Sequence, residues 1–154
     1  MTEASGKNIQ LMGRIYFISS LPFFGGAIAP WIFGPTAGAE VPAFLLWSFS
    51  SLIFCSAGWL GFSVSNHPRR APLHAFVSLL ISGCAIGALL AQQSKNAFAA
   101  AAMLTVLHWL HLWWVQKTGG LSKEVLKQHQ RFIWTALACH MMVLLNMVYV
   151  VKTA

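Results

Sequence analysis

Apolar positions along the 154-residue chain gather into five long runs separated by short polar breaks. The runs cover 15–34, 43–65, 72–91, 97–116 and 131–151. Each is about 20 residues long, the length at which a helix rising about 1.5 Å per residue crosses ~30 Å of hydrocarbon. None carries Asp, Glu, Lys or Arg in its interior. The alternating segments of about 10 residues that mark a membrane β-barrel are absent. The pattern predicts an all-α, integral membrane bundle of five transmembrane helices forming one polytopic domain over 1–154.

The breaks carry turn chemistry. Residues 34–42 read GPTAGAEVP, 66–71 read NHPRRA and 92–96 read QQSKN. The longest break, 117–130, reads KTGGLSKEVLKQHQ. Its second half, from Ser122 to Gln130, has a capping residue and an early acid, and predicts a short interfacial helix. The first run is too long for a signal-peptide core and comes after a leader containing Glu3. It reads as an uncleaved first helix.

Composition sharpens this picture. Hydrophobic residues make up 57% and charged ones 8%, against about 25% charged in soluble domains. Mean hydropathy is +0.65. So few charges could not cover the surface of a soluble domain of this size. The acids are Glu3, Glu40 and Glu124, and Asp is absent. The net charge of +7 therefore reflects missing acids and not a basic face, which argues against nucleic-acid binding.

Placing the cations gives an orientation. With five crossings, Lys7, Arg14, Arg69, Arg70, Lys117, Lys123, Lys127 and Arg131 share one side, and Lys95 and Lys152 the other. The positive-inside rule then puts the N-terminus in the cytoplasm and the C-terminus outside, in a bacterial inner membrane. The basic loops would touch anionic headgroups at ~1 kcal/mol per cation. Most of the seven Trp residues fit interfacial belts: Trp31 and Trp47 outside, and Trp113, Trp114 and Trp134 inside, with Trp59 and Trp109 deeper.

The first run holds Pro22, Gly25, Gly26 and Pro30, which predicts a kinked helix or a broken one lining a cavity. Ser51, Cys55 and Gly58 form a small-residue stripe in the second run, and Gly83 and Gly87 a small pair in the third. His74, Ser78 and Ser82 share one helical face, as do Thr105, His108 and His111 in the next helix. Lipid offers such groups no partner, so they should face protein. Counted in from the interfaces, His108 and His140 fall near the midplane, and His111 about one turn closer to the cytoplasm. This predicts a polar cavity on the cytoplasmic side, between helices three, four and five, lined by His74, Ser78, Ser82 and Thr105.

Histidine is the remaining strongly polar chemistry of the interior. The set allows structural hydrogen bonds between helices. It also allows a three-nitrogen zinc or copper site from His108, His111 and His140, a bis-His haem between His108 and His140, or a path for protons or a polar ligand. Cys55, Cys84 and Cys139 lie in three different helices, with no C-x-x-C motif. No phosphate loop, nucleophile elbow or H-E-x-x-H motif is present. With no acid in any run, carboxylate-coupled transport is disfavoured.

Leu21-Pro22-Phe23, the segment from Ser51 to Gly61 (SLIFCSAGWLG), and Arg131 with Thr135 four residues later resemble elements of a family of small membrane proteins. This is the domain-of-unknown-function 3429 (transmembrane protein 69-like) family. The second element departs from the family pattern, with Ser56-Ala57 where the family has Gly-Gly. The resemblance implies a five-helix membrane fold and supplies no catalytic residue. The tryptophan-rich sensory family also has five helices, but its W-x-P-P loop and Asn-Trp pair are missing here.

Two roles fit this chemistry. One is a non-enzymatic accessory or assembly protein packed against a larger membrane complex. The other is a metal-, haem- or ligand-binding protein using the midplane histidines. The orientation is directly testable. A C-terminal reporter that works only in the cytoplasm should be silent; a bright one would overturn the five-crossing, N-in assignment.

Overall fold

The computed structural model describes residues 3–33, 40–66, 69–93, 96–118 and 121–153. These form five helices: α1 (Glu3–Phe33), α2 (Glu40–Asn66), α3 (Ala71–Gln93), α4 (Ala97–Thr118) and α5 (Lys123–Thr153). No strand occurs among the described residues. All five are long and apolar enough to cross a membrane, with candidate spans Gly13–Phe33, Val41–Phe62, Ala71–Gln93, Ala97–Thr118 and Lys123–Val150.

Local chemistry fixes two starts. The Asn96 side-chain oxygen accepts from the Ala99 amide at 3.1 Å, capping α4. Ser122 Oγ accepts from the Val125 amide at 3.3 Å, capping α5. The cap predicted at Ser122 is therefore present, but it does not open a separate interfacial helix. Residues 123–130 are the first turns of α5, which continues without a break. α1 likewise begins at Glu3, well before its apolar run.

α1 is continuous through Pro22 and Pro30. A proline withdraws one backbone donor and crowds the preceding turn, leaving carbonyls to be satisfied by neighbours. In that turn the Trp47 indole of α2 donates to the Ser19 carbonyl at 3.0 Å. Ser20 Oγ donates to the Phe17 carbonyl at 2.6 Å.

The helices close into a ring: α1 packs on α2 and α5, α2 on α3, α3 on α4, and α4 on α5. α2 also meets α4 across the interior. The outside is apolar, with Phe17 65%, Phe76 64% and Leu79 70% exposed, whereas His108 and His140 are 0% exposed. Such a surface is the reverse of a soluble protein's and suits hydrocarbon. α5 buries a wide face that holds both Cys139 and His140, because it packs on α1 at one flank and α4 at the other.

α1 and α2 approach closely at Gly26. A Cβ there would stand 2.9 Å from the Phe44 Cβ, while one at Gly25 would meet nothing within 4 Å. Gly26→Ala should therefore destabilise the bundle by about 1–3 kcal/mol through overpacking. Gly25→Ala should be neutral or stabilising by up to ~1 kcal/mol. Unfolding in mixed micelles reads both, and equal effects would sink the close-approach argument.

Candidate functional site

Five of the six histidines lie among residues whose side chains are described, and all five are buried: His74, His108, His111, His129 and His140. They sit at two levels. His108 of α4 and His140 of α5 face each other, with ring centroids 5.1 Å apart. Nearer the α4–α5 connection, His111 and His129 pair at 5.2 Å. His74 of α3 stands at that same end, edge-on to Trp59 and Trp114, each at 5.7 Å.

The deeper pair is closed by hydrogen bonds. His108 Nδ1 donates to the Leu104 carbonyl at 2.8 Å, and His140 Nδ1 to the Ala136 carbonyl at 2.7 Å. Both rings thus turn back one helical turn, and Nε2 is left to look inward. Ser48 Oγ lies 2.7 Å from His140 Nε2 and, in the neutral imidazole, donates to it. Ser51 Oγ stands between His108 Nε2, at 3.5 Å, and the Ser48 carbonyl, at 2.9 Å, and can donate to either. Phe44, at 4.8 Å from the His140 ring, and Phe23, at 5.9 Å, close over the pair.

The outer pair is different. His111 Nε2 and His129 Nε2 are both buried without a hydrogen-bond partner among the described residues, as are Ser56 Oγ, Trp59 Nε1 and Trp114 Nε1. His129 Nδ1 lies 3.2 Å from the Tyr16 hydroxyl of α1. Tyr16 borders a cavity of about 410 Å³, lined also by Cys55, Trp59 and His129. It borders a second of about 340 Å³, lined by Trp47, Ser51 and Phe132 among others.

These positions correct several expectations. The three-nitrogen metal set does not assemble: His111 turns to His129 while His108 and His140 face each other. Among the described residues no group of three or more His, Cys, Asp or Glu is placed to hold a metal ion. A bis-His haem does not fit between His108 and His140 either. Their rings are direct neighbours, and Ser48 engages the nitrogen an iron would need. Two cavities lie between α1, α2 and the start of α5. His74, Ser78, Ser82 and Thr105 line neither of them. Ser78 Oγ donates to the Ser56 carbonyl at 3.3 Å, and Thr105 Oγ1 to the Ala101 carbonyl of its own helix at 2.7 Å. Trp114, assigned to an interfacial belt, is half-buried against His74.

Sequence reasoning missed His129, Ser48 and Tyr16. His129 precedes His140 by three turns on one face of α5, so a continuous fifth helix would have exposed it. Removing the Ser48 hydroxyl leaves His140 Nε2 without its donor. Ser48→Ala should cost about 1–2 kcal/mol. In a double-mutant cycle with His140→Phe the coupling should be about 0.6 kcal/mol or more. Ser50→Ala is the control, since that hydroxyl serves its own helix through the Leu46 carbonyl. A vanishing coupling would show that the Ser48–His140 contact carries no energy. No family model, curated protein or solved structure matches the chain.

Proposed function

We propose that this chain is a multi-pass membrane protein that binds a small ligand at the outer histidine level, between α1, α2, α4 and α5. One observation carries the reading: the His111–His129 pair, both rings buried and both Nε2 atoms unpartnered among the described residues, beside a cavity at Tyr16. A buried polar atom without a partner costs about 1–3 kcal/mol, so several of them together call for a partner from outside the chain, a water, an ion or a ligand. The deeper pair does not share this character, because its rings are held by carbonyls and a serine.

The N-in, C-out orientation in a bacterial inner membrane, with basic loops against anionic headgroups, is proposed on the cation distribution. Membership of the domain-of-unknown-function 3429 family is proposed on the short motifs alone. The accessory or assembly role has behind it the small extramembrane fraction, since the candidate spans take up most of every helix.

Purification in mild detergent, then organic extraction and mass spectrometry, separates these roles. The ligand-binding reading expects a stoichiometric small molecule, lost from a His111→Phe/His129→Phe variant that still elutes as folded protein. A wild-type preparation that instead brings down a stoichiometric protein and no small molecule would favour the accessory role.

A further inference from the structure

The cavity beside His129 has a composition that narrows what could enter it. Among the described residues no Lys, Arg, Asp or Glu lines it or its neighbour at Trp47, so these walls offer no charge to pair with an ionic ligand. The two cavities share Tyr16, Phe54 and Cys55. Phe54 is 66% exposed on the apolar exterior, so the crevice opens toward the lipid-facing surface. One wall is flat and aromatic, with Trp59 and Phe62 stacked at 5.5 Å and 24° between planes. Volumes of about 410 and 340 Å³ lie within the range that holds small organic ligands.

The polar handle is the Tyr16–His129 pair, and its hydrogen-bond inventory is reversible. If His129 carries its proton on Nδ1, it donates to the phenol oxygen and frees the Tyr16 O–H for a ligand carbonyl. If the proton sits on Nε2, the Tyr16 O–H donates to Nδ1, and the phenol oxygen can accept from a ligand hydroxyl. One side-chain pair thus recognises both the carbonyl and the hydroxyl form of the same ring by a tautomer change, with no net gain or loss of protons.

Resting on the ligand-binding reading above, we propose that the crevice between α1 and α2 takes a flat, uncharged, lipid-soluble ring bearing carbonyl or hydroxyl groups, the quinone/quinol class. Tyr16 holds the ring oxygen, the Trp59–Phe62 wall lies against the ring face, and the apolar tail leaves past Phe54 into lipid.

Calorimetry with decyl-ubiquinone and its quinol, added to the detergent-purified full chain, tests this. Both forms should bind saturably, one per chain, with affinities within a few fold of each other. Tyr16→Phe should weaken binding about tenfold, the loss of roughly one hydrogen bond. Gly58→Leu should abolish it, because Gly58 lines the cavity and a Cβ there meets nothing within 4 Å, so the larger side chain fills the crevice without displacing the helices. Gly83→Leu, on exposed α3 surface with equally open space, should change nothing. If 1-decanol binds as tightly as the quinone, or Tyr16→Phe leaves the affinity unchanged, recognition of the ring is wrong. A ligand that still co-purifies with wild-type protein and is lost from the His111/His129 variant would then leave the broader reading standing.

Discussion

The arrangement of this bundle rests on one constraint: hydrocarbon offers a polar side chain no partner, so an imidazole within a span must turn inward, toward protein. Five histidines are buried accordingly, while large apolar side chains such as Leu79 and Phe76 stay outside. The constraint sets the rotation of α4, because His108 and His111 lie one turn apart and must both face in. It also sets the width of the buried face of α5, which has to bring His129 and His140 inside together with Cys139. α2 then supplies the hydroxyls, and its contact with α4 across the ring places Ser48 and Ser51 at the deeper pair.

α1 serves the same end through its least regular feature. Pro22 weakens the turn before it, and Trp47 of α2 takes up the Ser19 carbonyl there. One turn beyond Pro22, Gly26 lets Phe44 come within contact of the α1 backbone. Phe44 and Phe23 meet edge-on at 5.7 Å, and both rest on His140. Two of the residues that make α1 a poor isolated helix, Pro22 and Gly26, are thus ones that let it seat two aromatic rings over the deeper histidines.

The five spans were legible because apolar length is a direct signal of a crossing. The first turns of α1 were not, and residues 122–130 read as a separate short helix instead of the start of α5, because a helix that extends beyond an apolar run loses the signal while keeping its backbone hydrogen bonds. That blind spot hid His129. The meeting of His108 with His140 could be read by counting inward along two antiparallel helices from their common connection. Ser48 could not. Ser50 and Thr105 direct their hydroxyls to their own helices, and nothing in composition separates a serine that does so from one that reaches across. The metal triad failed for a related reason. Sequence spacing fixes which face of α4 carries His108 and His111, but the partner each ring meets depends on α5, where a second histidine waits at each level.

The two levels differ in what they leave unsatisfied. At the deeper level each ring donates to a carbonyl of its own helix, His140 is held by Ser48, and aromatic rings exclude other contacts; such a site specifies how α2, α4 and α5 fit together. At the outer level the same residue type is equally buried, yet both Nε2 atoms and two nearby indole N–H groups have no partner among the described residues. Packing alone gives no reason to place four such atoms together, since apolar side chains of similar size would fill the space without the desolvation cost. The larger cavity at Tyr16 abuts this level through His129 and Trp59. On the proposed ligand-binding reading, the cost concentrated there is what a binding site carries when its partner lies outside the chain.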